Sequence, residues 1–237
     1  MSTNTINKVP LLDLRAQYDT IRAEVDDAVR RVMESCYFIG GPEISGLEEE
    51  IARYSQVPHA VACASGTDAL LMAMWTLGIG PGDEVISPAY SFFATAGTIA
   101  NNGATPVFVD IDPRTYNLDP HRLEAAITPR TKAVVAVSLF GQYCDVPAIK
   151  AICDKHQIYL IEDAAQSIGS EWEGKRSGSM CDFGTFSFFP SKNLGGAGDG
   201  GMITTTNPEL AEKARLLCNH GAKPKYFHSL VGTNSRL

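Results

Sequence analysis

The chain has no CxxC pair, and its six cysteines, Cys36, Cys63, Cys144, Cys153, Cys181 and Cys218, are too scattered for a zinc site or a disulfide framework. Most of them read as reduced, buried, small apolar residues. Histidine is also sparse: His59, His121, His156, His220 and His228 form no HxH or HExxH spacing, which argues against a metal centre. No stretch approaches the roughly 18 apolar residues of a membrane span. The opening MSTNTINKVPLLDL lacks the charged start and apolar core of an export signal. No basic run stands out, and a net charge of −7 gives no general attraction to nucleic acid or to an anionic membrane. The expected compartment is the cytosol, and the expected partners are small metabolites.

What is present is an ordinary globular composition, 44% hydrophobic and 20% charged over 237 residues, enough for one sizeable core. Residues 1–10 read as a loose arm. From 15 to 35, Ile21, Val25, Ala28, Val29 and Val32 recur at helical spacing among charges, and a second, glutamate-rich helix is expected over 43–54 after Gly40, Gly41 and Pro42. Beyond residue 60 short apolar or β-branched runs alternate with helical segments. Seven strands are expected at 60–64, 84–88, 105–110, 132–139, 158–163, 183–189 and 201–205. Helices are expected at 67–77, 92–101, 120–126, 146–156 and 208–219. Strand then helix, repeated, means a largely parallel sheet covered on both faces. The last two strands are joined by loop alone, so one strand there is expected to run antiparallel.

In such sheets ligands bind beyond the carboxyl ends of the strands, so polar residues at those ends carry the interest. Lys192 follows the run 183–189 and opens a loop with Gly195, Gly196, Gly198, Gly200 and Gly201. Glycine lets main-chain N–H groups approach a ligand, and a lysine partly removed from water becomes a nucleophile. Alone, the loop suits a Schiff base, a phosphate contact, or simply a glycine-rich turn with a surface lysine. The glycines follow the lysine, which is not the order of a P-loop. Ser65-Gly66-Thr67 opens a helix and offers its free N–H groups to an anion, or is plain capping. Asp163 ends an apolar strand, where a carboxylate is costly unless paired, and Gln166 lies three residues on. Phe92 heads a helix, where an aromatic either stacks on a planar ring or packs in the core. Together these residues describe one ligand: a phosphate at Thr67 and Ser187, a flat ring against Phe92, a ring nitrogen facing Asp163 and an aldehyde on Lys192. That ligand is pyridoxal 5'-phosphate.

The stretches PLLDLRAQY, FIGGPEISGLEEEIARY, ASGTDAL, GDEVISPAYSFFATA, GATPVFVDID, LFGQYCDV, IEDAAQSIGS, FSFFPSKNLGGAGDGGM and GTNSRL, running in order to Leu237, resemble the DegT/DnrJ/EryC1/StrS sugar aminotransferases. These belong to the aspartate-aminotransferase superfamily of fold type I pyridoxal phosphate enzymes. The resemblance implies an α/β large domain with a mainly parallel, mixed sheet of about seven strands between helices. It implies that Lys192 carries the cofactor aldehyde and that Asp163 partners the ring nitrogen. Gln166 would face the ring hydroxyl side and Phe92 would stack on the ring. Gly66, Thr67 and Ser187 would bind the phosphate, and Asn234 would reach the phosphate of a neighbouring subunit in a homodimer.

It also implies transfer of an amino group, commonly from glutamate, to a nucleotide-linked keto-sugar in amino-sugar and polysaccharide biosynthesis. FSFFPSK followed by a GDGG loop is more like members acting at a 3-keto position. Residues 1–35 are expected as an arm and helix, and 36–237 as the cofactor-binding large domain, with a small C-terminal domain of the family absent. A sugar dehydratase, whose relatives carry histidine in place of the lysine, and an inactive or regulatory cofactor-binding fragment are the alternative readings.

Overall fold

The computed structural model describes residues 11–224 and 226–237, and the loose arm expected at 1–10 lies outside the described residues. The chain divides into two compact units, Met1–Phe38 and Ile39–Leu237. In the first, helix α1 (Leu14–Ser35) is capped by Asp13, whose carboxylate accepts the Ala16 N–H. It ends at Cys36 in the left-handed conformation. None of its residues is buried, and Ile21, Val29 and Met33 are exposed.

The second unit begins with α2 (Pro42–Tyr54), which starts one residue before expectation because proline is well placed in a first helical turn. A sheet follows, built from β1 (His59–Cys63), β2 (Glu84–Pro88), β3 (Thr105–Val109), β4 (Thr131–Val137), β5 (Tyr159–Asp163), β8 (Phe183–Ser187) and β9 (Gly201–Thr205). Its seven strands lie in the order β1-β9-β8-β5-β4-β2-β3. All neighbours from β8 through β5, β4 and β2 to β3 are parallel, while β9 runs antiparallel to both β8 and β1. This is the single reversed strand expected from the loop-only connection. Strand β5 is therefore central, and Asp163 is its last residue.

The strands β2, β4 and β5 are buried almost throughout, as a sheet covered on both faces requires. One face packs on α3 (Gly66–Thr76) and α7 (Pro208–Cys218), and the Ile99 of α4 (Phe93–Asn101) joins that core. The other face packs on α5 (Pro120–Leu123) and α6 (Val146–His156), through Leu123, Val146, Ile149 and Cys153. Fully burying a side chain such as Phe183 or Ile161 contributes about 1.5–3 kcal/mol. Cys63, Cys144, Cys153, Cys181 and Cys218 are free and buried, and burial pushes each thiol pKa up. Cys36 is free and exposed.

Two departures from the sequence reading have simple causes. The segment 164–182 holds a small hairpin, β6 (Glu171–Trp172) and β7 (Lys175–Arg176), joined by Glu173 and Gly174, both at positive φ. Such a turn matches the twist of its strands, but two residues per strand leave no alternation to read. The fourth strand stops at Val137 rather than 139 because Leu139–Gly141 closes a 3₁₀ turn, with Phe140 at φ 53° and Gly141 at φ 83°.

Candidate active site

The carboxyl ends of β1, β2, β4, β5 and β8 open on one cleft of about 380 Å³. It is lined by Ser65, Gly66 and Thr67 after β1, Phe92 after β2, Asp163 and Gln166 at β5, and Ser187 and Lys192 at β8. Every residue that the sequence suggested for the chain's own cleft is in it. Asn234 is not: it is exposed, and its side-chain oxygen accepts the Arg236 Nε–H at 2.8 Å. Among the described residues no group of three or more His, Cys, Asp or Glu could hold a metal ion, and no helix is long and apolar enough to cross a membrane.

At one end of the cleft, Ser65 caps α3, its Oγ accepting the Asp68 N–H at 3.0 Å. The helix start leaves the amides of Gly66 and Thr67 without carbonyls of their own turn, aimed where an anion is favoured. Gly66 has to be glycine for space: a Cβ there would stand 2.5 Å from Ser187 Cβ. Gly201 is likewise pressed on Ser65, with a Cβ position 2.3 Å from its carbonyl oxygen. Together the two contacts draw β8, β9 and the start of α3 into a cup.

Asp163 lies on the cleft floor, 7% exposed. Its Oδ2 accepts the Thr95 hydroxyl at 2.8 Å and its Oδ1 accepts the Ala165 N–H at 3.2 Å. Burial drives its pKa up from the ordinary carboxylate value, while those two hydrogen bonds and the charge of Lys192 pull the other way. The neighbouring Glu162, on the alternate side of the strand, is fully buried with a pKa also raised by burial. It accepts from Ser138 at 2.8 Å, Ser177 at 2.6 Å and the Gly178 N–H at 2.7 Å. These bonds pin the loop after β4 to the segment after β5.

Gln166 is oriented by the turn after β4: its Oε1 accepts the Phe140 N–H at 2.8 Å, which leaves the amide nitrogen to donate. Phe92, 72% exposed, stands at the N-cap of α4 without core packing of its own. Lys192, half-buried, sits on a loop folded back on itself. The Lys192 N–H reaches Phe189 O at 2.8 Å, Gly196 N–H reaches Phe188 O at 2.7 Å, and Phe188 N–H reaches Gly200 O at 2.8 Å.

The sequence reading did not find Ser91, Thr95, Ser138, Asp199 or Ser235. Ser91, Ser138 and Asp199 line the cleft. Ser235 is fully buried: its hydroxyl donates to Asp68 at 2.7 Å and accepts the Ala64 N–H at 3.2 Å. The chain's last segment is thereby fixed to the first turn of α3. Only the serine next to Asn234 could have signalled this, and serine is too common to be informative.

The sequence pattern of the DegT/DnrJ/EryC1/StrS aminotransferase family matches residues 19–237. A Geobacillus stearothermophilus protein named as a pleiotropic regulatory protein is 52% identical over 97% of this chain and 62% of its own length. The UDP-N-acetyl-3-dehydro-alpha-D-glucosamine 3-aminotransferase of Acidithiobacillus ferrooxidans is 50% identical over 100% of this chain and 64% of its own. The crystal structure of S. venezuelae DesV in complex with a ketimine intermediate superposes with a TM-score of 0.95 at 47% identity, over 97% of this chain and 62% of that one. The chain spans 61% to 64% of the length of the first curated relatives it matches. The family uses pyridoxal phosphate. With the pattern matched over 19–237 and the fold shared with DesV, this chain belongs to the DegT/DnrJ/EryC1/StrS aminotransferase family.

Proposed function

We propose that this chain holds the cofactor site of a pyridoxal phosphate-dependent aminotransferase that moves an amino group, from a donor such as glutamate, onto a nucleotide-linked keto-sugar. The observation that carries this reading is the meeting, in one cleft, of the Lys192 amine, the buried Asp163 carboxylate and the glycine-opened start of α3. The residues fit the cofactor. A volume of about 380 Å³ suits a small ligand. Asp163 keeps acceptor capacity beyond its two hydrogen bonds, and a cation placed there offsets the cost of its burial. Gly66, Thr67 and Ser187 offer amides and hydroxyls to a phosphate, and Gln166 offers its amide nitrogen to a ring oxygen.

When bound, pyridoxal phosphate supplies an aldehyde that bonds to amines and a ring that draws electrons from the carbon next to the bound nitrogen. Lys192 Nζ would hold that aldehyde and, when free, would be the base placed to take up and return the proton at the substrate carbon. Asp163 holds a proton on the ring nitrogen. Thr67 and Ser187 fix the phosphate end, and Phe92 covers a ring face and excludes water. Asn234, on the outside of its own cleft, serves the phosphate of a second copy, so the active unit is a homodimer.

The acceptor carbon is proposed as C3, the position named for the Acidithiobacillus ferrooxidans relative. The test is incubation with pyridoxal phosphate, L-glutamate and a UDP- or dTDP-linked 3-keto-hexose, with mass spectrometry of the sugar. A gain of one amino group with release of 2-oxoglutarate is expected. Loss of water without nitrogen uptake points to a dehydratase, and absence of any cofactor binding overturns the reading.

A further inference from the structure

The buried acid of the cleft is held by a chain of hydroxyls. Thr95 Oγ1 donates to Asp163 Oδ2 at 2.8 Å, and Ser91 Oγ lies 2.8 Å from Thr95 Oγ1. Thr95 is 1% exposed, on the first turn of α4, while Ser91 lines the cleft. A hydroxyl has one proton to donate. Thr95 gives its proton to the carboxylate, so the contact with Ser91 runs the other way, with Ser91 donating. The nearby Thr98 hydroxyl is turned to its own helix, bonding Ala94 O and Thr95 O, and does not compete. The direction Ser91 to Thr95 to Asp163 is therefore fixed by the acceptor at its end.

The effect on Asp163 follows from what surrounds it. Burial favours the neutral acid, and opposing this are the Thr95 bond, the Ala165 N–H and the Lys192 charge. The adjacent Glu162 carboxylate is engaged by its own three donors and is the other acid of the strand end. Of these only the Thr95 bond is a side-chain contact dedicated to the carboxylate: Lys192 has its own chemistry, and the Ala165 amide belongs to the turn.

We propose that Thr95, backed by Ser91, is a positioning residue that keeps Asp163 a carboxylate against its burial, so that the proton shared with a bound ring nitrogen stays on the nitrogen. This rests on the cofactor reading above. Without the hydroxyl the carboxylate is a stronger base, and the shared proton moves toward Asp163. The ring then loses part of its electron-withdrawing power although every residue touching it is intact.

The test uses the 237-residue chain loaded with pyridoxal phosphate carrying ¹⁵N in the ring, and reads the ring-nitrogen chemical shift at neutral pH. Wild type and Thr95→Ser give a pyridinium shift. Thr95→Val moves the shift toward that of neutral pyridine, corresponding to about a tenfold change in proton partition, or about one pKa unit. Ser91→Ala moves it less, in the same direction. A Thr95→Val shift equal to wild type overturns the proposal. Should that variant fail to fold, Ser91→Ala decides alone, and an unmoved shift is the negative result. If wild type binds no cofactor the functional reading fails separately, and ¹³C titration of the Asp163 carboxyl in the ligand-free chain takes its place. There Thr95→Val raises the midpoint by about one unit if the hydroxyl acts as proposed, and an unchanged midpoint overturns it.

Discussion

Replacing Gly66 by alanine sets two known effects against each other. A methyl group at that position would lie 2.5 Å from Ser187 Cβ, 3.0 Å from its Oγ and 3.1 Å from its Cα. Carbon atoms in good contact are about 3.5–4.0 Å apart, so a displacement of about 1 Å is required. Little slack exists for it. Ser187 pairs with Gly201 in the β8–β9 ladder, and Gly201 is itself pressed against the Ser65 carbonyl. Overpacking of this kind costs about 1–3 kcal/mol. Against it, alanine gains up to about 0.5–1 kcal/mol over glycine within a helix. From the middle of each range the net is a loss of about 1 kcal/mol, read as a lower urea midpoint at unchanged slope. Pyridoxal phosphate affinity falls as well, because the amides proposed to meet the phosphate are on the displaced turn. Ser187→Gly in the same chain removes the Cβ and Oγ clashes but not the one with Cα, and so recovers part of the loss, with a coupling energy of about 1 kcal/mol. A Gly66→Ala chain as stable as wild type, or additivity between the two substitutions, refutes this account of the cup.

Ser235→Ala removes the hydroxyl that bridges Asp68 and the Ala64 N–H, and leaving such buried partners unmet costs about 1–3 kcal/mol in chemical denaturation. Phe92→Ala changes stability by less than about 0.5 kcal/mol, since the ring is exposed. It weakens binding of pyridoxal phosphate in a fluorescence titration by the about 0.5–1.5 kcal/mol of a lost stack. For Asp163→Asn the readout is melting temperature against pH in the ligand-free chain. Because burial raises the folded pKa of Asp163, its favourable contribution is full below the ordinary carboxylate value near 3.9 and is lost as pH rises through the folded value. Wild type therefore loses stability relative to Asp163→Asn as pH climbs above about 4, and parallel curves contradict the burial argument.

Much of the fold is legible because the sheet speaks through local pattern. Runs such as the one leading to Glu162 and Asp163 are apolar up to those two acids, and the helices between them carry caps and periodicity. The hairpin at Glu171–Arg176 escapes because its pairing involves two residues on each side. At the site, Asp163 announces itself by ending a strand, and Gly66, Phe92 and Lys192 by following strand ends within a few residues. The hydroxyls do not. Thr95 reads as one more small residue on α4, and its link to Asp163, 68 positions away, exists only once the strands are side by side. Ser235 is further still from Asp68, at a separation of 167. The orientation of Gln166 likewise depends on the positive-φ turn at Phe140.

The central claim is that Lys192 is the amine that carries the cofactor. Its most direct test is to add pyridoxal phosphate to the 237-residue chain, record the visible absorption, reduce with borohydride and map the modified peptide by mass spectrometry. A stable adduct on Lys192, absent in Lys192→Ala, is the expected result. An adduct spread over several surface lysines, or none in a folded chain, contradicts the account.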